Sequence, residues 1–321
     1  MKVARYFERR LLHSVFLLIA ISVLAFGTSQ LAPGNFLDEL RMNPQISSQT
    51  IAALQTQYGL DQPIRVRYFR WMKSLVAGDL GYSLSYNMPV NKLLWERMRN
   101  TLLVGTLAML LAWAIALPMG IWSARRAGGW FDGMCSGFST LLLGTPELAL
   151  ALLLILAAAH FGTLPVGGMN SSAQSGGSAK LDTFRYLLIP MIALALPATP
   201  LLFRHTRAAM LEAWNSPFLQ AAKGHGIGEV RLLLRHALPV ASNPLISLFG
   251  LSLATLVSGS FLVEVITGWP GMGPLFLEAI YNRDAQVVMA VVMLFSVFLI
   301  TANFTADLLL YAADPRVRAE C

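Results

Sequence analysis

The sequence predicts an all-α, polytopic helical membrane protein with about six spans. Two observations lead there. Of 321 residues, 55% are hydrophobic and only 13% are charged, against roughly 25% charged in an ordinary globular domain. The apolar residues also fall in runs of about 20, the length of helix that crosses about 30 Å of hydrocarbon.

Taken in order, the first span is residues 11–31, the second 101–122, the third 133–160, the fourth 186–203, the fifth 240–263 and the sixth 286–309. The first, second and fifth contain no Asp, Glu, Lys or Arg. The fourth is short and carries Pro190, Pro197 and Pro200, so it is either kinked or shielded by neighbouring helices. Residues 1–27 also fit a secretory signal, but five further spans and the lack of a persuasive cleavage site favour an uncleaved first span.

Charge sets the orientation. Short cationic loops stay on the cytoplasmic side. With the N-terminus inside, Lys2, Arg5, Arg9, Arg10, Arg125, Arg126, Arg204, Arg207, Lys223, Arg231, Arg235, Arg316 and Arg318 all lie inside, and the short outside loops hold only Lys180, Arg185 and Arg283. Both termini are therefore expected in the cytoplasm. The net charge of +7 punctuates apolar runs instead of forming a solvated basic face, which argues against a nucleic-acid binder.

Residues 32–100 change composition and read as a small extracytoplasmic subdomain after the first span. Ser47 or Ser48 can cap a helix with Ile51, Leu54 and Tyr58 on one face, ending at Gly59. Pro63 can open another with Val66, Phe69 and Met72 at threefold spacing, ending near Gly78. Pro89 starts an amphipathic stretch leading into the second span. Residues 167–182 are Gly/Ser-rich and read as a flexible outside loop. The remaining divisions are a first segment 1–31, a membrane core 101–313 and a tail 314–321.

Residues 207–239 are the most informative. Ser216 followed by Pro217 starts a helix, because the side-chain oxygen takes an orphan amide and proline needs no donor in the first turn. That helix breaks at Gly224-His225-Gly226, and a second short one runs from about Gly228 toward Pro239. The result is a bent pair between two spans, suited to docking in another protein's groove.

Several chemistries are missing from the sequence. It has no G-x-x-x-x-G-K-[ST] loop, so any ATP is handled by a partner. The five histidines form no ligand-spaced cluster, and Cys135 and Cys321 make neither a disulfide framework nor a metal site. No nucleophile elbow occurs. Glu147, Glu264 and Asp307 are acids at or near membrane depth and hence functional candidates. Scattered without basic partners at depth, they make a poor proton relay, so an autonomous proton-coupled carrier is the alternative from a different class.

Gln220-Ala221-Ala222, three residues, Gly226, nine residues and His236-Ala237-Leu238-Pro239 resemble the cytoplasmic signature of the permease subunits of ATP-binding-cassette importers. The match is to the dipeptide/oligopeptide and nickel group. The family pattern has Glu where Gln220 stands and Ile where His236 stands; the spacing is the same. Leu31-Ala32-Pro33-Gly34, residues 58–63, residues 78–83, Trp269-Pro270-Gly271-Met272-Gly273 and residues 314–318 are also similar to family landmarks. Departures are Glu147-Leu148-Ala149 after Pro146, and Pro274 where a basic residue is common.

The resemblance implies a type I importer transmembrane fold in the bacterial inner membrane. The chain would form half of a pathway for short peptides, with nickel or another small solute as the alternative cargo. The implied partners are a homologous second permease, two ATPase subunits that bind ATP and magnesium, an extracytoplasmic solute-binding protein and membrane lipid. No cofactor is expected on this chain, and no catalytic or metal site. Pro217, Gln220, Ala221, Ala222, Gly226, Leu238 and Pro239 would couple to the ATPase; Glu147, Glu264, Trp269, Pro270, Gly271 and Gly273 would line or gate the pathway.

Overall fold

The computed structural model describes residues 2–31, 49, 56, 62–162, 164–168 and 179–313. The expected helix from Ser47 or Ser48 to Gly59, the landmarks at 32–34, 58–61 and 314–318, and loop residues 169–178 lie outside the described residues. In chain order the elements are α1 (Lys2–Leu31), α2 (Ile64–Val76), β1 (Tyr82–Ser83), β2 (Met88–Pro89), α3 (Val90–Arg125), α4 (Trp130–Gly144) and α5 (Glu147–Phe161). They continue with α6 (Ala179–Asn215), α7 (Pro217–Gly224), α8 (Glu229–Leu232), a π-helical turn (Leu233–Ala237), α9 (Leu238–Thr267), α10 (Met272–Tyr281) and α11 (Ala285–Ala313).

Among the described residues four helices are long and apolar enough to cross a membrane, and up to six spans result if each of two bent helix pairs counts as one. Two expectations need correction. Residues 133–160 are not one straight helix: α4 and α5 meet at 101°, because Pro146 has no amide to continue the ladder and Thr145 is extended. The fourth span is not short, since its residues belong to the 37-residue α6 with Pro190, Pro197 and Pro200 inside it. The amphipathic stretch after Pro89 leads into the second span as expected, both forming the 36-residue α3.

The chain divides into two compact units. One comprises Met1–Glu8, Thr101–Pro270 and Leu299–Cys321, the other Arg9–Asn100 and Gly271–Phe298. At the centre of the first, α6 packs against α4, α5, α7 and α9. Ala112, Ala116, Trp113, Ala195, Leu202 and Phe203 are buried together there. Small residues bring the backbones close. A Cβ on Gly120 of α3 would stand 2.7 Å from Cβ and Cγ2 of Thr206 and 3.1 Å from the Arg207 amide on α6, and a Cβ on Gly250 would overlap Ala306 of α11. Elsewhere in this unit the Gly168 amide donates to the Gly268 carbonyl at 3.2 Å, and a Cβ on Gly268 would stand 3.3 Å from the Gly168 amide nitrogen.

In the second unit Phe26 of α1, Trp71 of α2, and Met289 and Met293 of α11 form the core, with Tyr68, Met72 and Leu75 packed on it. The threefold face expected for α2 is therefore rotated: Tyr68, Trp71 and Met72 face inward while Val66 and Phe69 are exposed. The 78–83 landmark has a geometric cause. Gly78 and Gly81 take φ of 81° and 90°, Asp79 accepts from the Gly81 amide at 2.9 Å, and Asn91 bridges the Leu80 amide and the Gly78 carbonyl. The resulting hairpin pairs Tyr82 with Pro89 and Ser83 with Met88.

The close approach at Gly120 predicts opposite effects of two Gly→Ala changes. Gly120→Ala forces α3 off α6 and lowers thermal stability of the purified protein in detergent, by about 1–3 kcal/mol. Gly133→Ala, where an added Cβ meets nothing within 4 Å, raises it slightly, by up to about 1 kcal/mol of helix propensity.

Candidate coupling segment and membrane-depth acids

Residues 216–239 fold as their local chemistry dictates. Ser216 caps α7, its oxygen accepting from the Leu219 amide at 3.4 Å, and Pro217 occupies the first turn. Gln220 reaches back to the Asn215 carbonyl at 3.3 Å. The helix stops at His225, and Gly226 takes φ of 77°, a left-handed value that favours glycine. The second helix does not end at Pro239, as the spacing suggested. It passes through the π-helical turn, in which the Leu238 amide bonds the Leu233 carbonyl, and continues as α9. A proline ring clashes with the carbonyl four residues back, and the wider π turn provides for Pro239 without a break.

The segment is seated firmly and presents a defined outer face. Leu219 and Ala222 of α7, Leu232 of α8, Ala237 and Ala241 are buried with Ala209, Met210 and Ala213 of α6 and Ala124 of α3. Of the expected coupling residues, Pro217, Gln220, Ala221, Gly226 and Pro239 are exposed, Leu238 is half-buried and Ala222 is buried. Phe218, Val230 and Leu234 add apolar surface, at 58%, 69% and 60% exposure. Phe218 also meets the His236 ring edge-on at 5.7 Å, and Arg125 pairs with Glu229 at the surface.

Beneath this segment lies a polar knot. Asp132, 4% exposed, receives Nε and Nη2 of Arg207 at 2.6 and 2.7 Å, the Gly128 amide at 2.9 Å and the Ser123 hydroxyl. The carboxylate thus ties the end of α3, the turn after it and the start of α4 to α6. Its partner is 75 positions away, so no local spacing announces the pair, and sequence reasoning had placed Arg207 only as an inside charge.

The membrane-depth acids fall in distinct places. Glu147 is the first residue of α5, half-buried, directly after the bend. Its Oε1 is 3.6 Å from where a Cβ on Gly259 would stand, so the carboxylate lies over the α9 backbone. Gly259 precedes Glu264 by about 7.5 Å of helix rise, and Glu264 is fully buried. Trp269 is buried with Val104 and Leu187. Pro270 is half-buried, Gly271 and Gly273 are buried, and Asp307 is half-buried in α11.

In the second unit Asp284 is a structural acid that the sequence reading missed. It caps α11 through the Val287 amide at 3.3 Å and accepts the Ser83 hydroxyl at 2.6 Å. Its place just before an apolar run was the available signal. Tyr86 donates to Glu278; burial, then that carboxylate, holds the phenol above its ordinary pKa, so it stays a donor. Among the described residues no group of three or more His, Cys, Asp or Glu is placed to hold a metal ion.

Apolar helices of bilayer length, with a seated amphipathic elbow between two of them, define a polytopic helical membrane protein. Residues 116–319 match the family described as binding-protein-dependent transport system inner membrane component, and residues 3–105 match the N-terminal part of such components. The chain belongs to this family and is a multi-pass inner-membrane permease subunit.

It is 34% identical over 316 residues to the oligopeptide transport system permease protein AppB of Bacillus subtilis, covering 98% of this chain and 99% of that one. It is 29% identical over 320 residues to the dipeptide transport system permease protein DppB of Escherichia coli K12, covering 94% of each. Among solved structures an inward-facing MetNI methionine ABC transporter is similar in fold, with TM-score 0.57, 18% identity, and coverage of 69% of this chain and 96% of that one.

The knot predicts a sharp asymmetry. Asp132→Ala leaves Arg207 uncompensated and costs about 3 kcal/mol, whereas the double variant Asp132→Leu/Arg207→Met costs clearly less than the single one. Thermal unfolding of the purified variants in one detergent reads both.

Proposed function

We propose that this chain forms half of the pathway of an ATP-driven importer for short peptides. It pairs with a homologous permease, seats two ATPase subunits on residues 217–239, and receives cargo from a solute-binding protein. The observation that carries this reading is the exposed face of α7 and its turn, held on a buried apolar base and coinciding with the family's signature spacing. Relatives along nearly the whole chain that are named for oligopeptide and dipeptide transport support the cargo class. ATP and magnesium bind the partner ATPases; this chain breaks no bond. Both termini and the coupling segment lie in the cytoplasm. Nucleotide closes the ATPase pair, the seated helices move with it, and the spans change packing. Glu147, beside a helix break at membrane depth, lines the pathway, where it would attract a peptide's cationic amino group. Glu264, Trp269, Pro270, Gly271 and Gly273 form the gate region.

Gly226 separates docking from backbone strain, because an added Cβ meets nothing within 4 Å. Gly226→Asn, which tolerates φ above zero, keeps the ATPase through purification; Gly226→Trp loses it and abolishes transport. Equal retention and uptake in both variants would refute the docking role. The cargo is tested by identifying what the cognate binding protein carries: a bound peptide supports the reading, and a bound metal ion without peptide overturns it. Glu147→Gln lowers peptide uptake several-fold without loss of the ATPase, as read by vesicle uptake and co-purification.

A further inference from the structure

The helix α2 packs against α1 and α11, two of the helices long and apolar enough to cross a membrane. Its inner face rests on residues within two spans. Tyr68 shares a hydrogen bond of 2.8 Å with Ser22 of α1 and meets Phe26 at a ring distance of 5.4 Å, while Trp71 packs with Phe26, Met289 and Met293. Phe26 precedes the end of α1 at Leu31 by about 7.5 Å of helix rise, and Ser22 by about 13.5 Å. Met289 and Met293 lie about 6 and 12 Å inside the start of α11. One to three turns inside the ends of apolar helices of bilayer length is the depth at which acyl chains give way to headgroups.

Its outer face has the composition for that place. Ile64, Val66, Phe69 and Val76 are 60%, 45%, 70% and 82% exposed, and Arg65, Arg70 and Lys73 are exposed among them. No Asp or Glu occurs in α2. Arg65, Phe69, Lys73 and Val76 follow at intervals of four, four and three, so cations and apolar side chains share one surface. Such a mixture suits the boundary of a bilayer, where apolar groups enter the acyl region and Lys and Arg reach up to phosphate. Arg70 Nη2 already donates to Gln62 Oε1 at 2.8 Å, which leaves its other donors directed away from that contact. Trp95, 74% exposed near the start of α3 in the same unit, is a residue type that anchors at this depth.

We propose that the exposed face of α2 is a lipid-binding surface that selects anionic phospholipid headgroups, with Arg65, Arg70 and Lys73 on the phosphate and Phe69 and Val76 among the acyl chains. The proposal depends on neither the cargo nor the side of the membrane.

It is tested on the full transporter complex in nanodiscs, with Cys135→Ala and Cys321→Ser removing native thiols and a bimane fluorophore on Phe69→Cys. At equal mole fraction, brominated phosphatidylglycerol quenches the fluorophore about threefold more than brominated phosphatidylcholine. The preference falls toward unity in high salt, and on replacing Arg65, Arg70 and Lys73 by Gln. Replacement of Arg65 and Arg70 by Lys keeps it, which controls for misfolding of the Gln variant. Equal quenching by the two lipids overturns headgroup selection. Absence of quenching by either lipid, including the case where added binding protein shields the fluorophore, overturns the lipid assignment altogether.

Discussion

Apolar helices in a bilayer have no hydrophobic reason to prefer one another over lipid tails, so their association rests on close backbone contact and internal polar bonds. This protein uses both. Gly120 lets α3 approach Thr206, and Gly250 lets α9 approach Ala306. The Asp132 carboxylate collects four donors from α3, the following turn and α6. A buried ion pair is weak as a source of net stability but strict about geometry once present. Here it holds the corner from which the coupling segment is hung.

That placement gives the proposed coupling role a mechanical sense. Leu219, Ala222 and Leu232 are locked into the same buried cluster as Ala124 and Met210, so a push on the exposed turn reaches α3 and α6 without being absorbed by a loose loop. The π-helical turn makes the far side of the segment continuous with α9. Force applied at one exposed elbow therefore enters three long helices at once.

The helix breaks are equally purposeful. A chain that interrupts a helix at membrane depth must satisfy the freed groups within the protein. At the α4/α5 bend the Thr145 hydroxyl and amide turn back onto Leu141 and Leu142, and the resulting free helix start carries Glu147. The three prolines inside α6 sit in a helix that packs against α4, α5, α7 and α9, where neighbours shield what the prolines disturb.

Much of this was legible in the sequence because the relevant signals are local. Apolar runs of bilayer length, the Ser216-Pro217 start and the break at Gly224-His225-Gly226 each depend on a few neighbouring residues, and the structure bears them out. The places where the reading failed are those where distant residues decide. Threefold spacing grouped Val66 and Phe69 with Met72, but Phe26 and Met289, far off in the chain, bury Tyr68 and Trp71 and leave Val66 and Phe69 exposed. The fourth span read as short because Arg185 and Arg204 bound its apolar run, yet enclosure by α4, α5 and α9, the shielding its prolines called for, lets α6 run on past both. Arg207 read only as an inside charge and Asp132 was not singled out, since their pairing spans 75 positions. Composition and periodicity therefore determine that the chain crosses the membrane and where it turns, since hydration and backbone sterics act residue by residue. Which face is buried, which charge is paired and which helix survives its prolines are decided by packing, because those energies belong to contacts between segments that the linear order keeps apart.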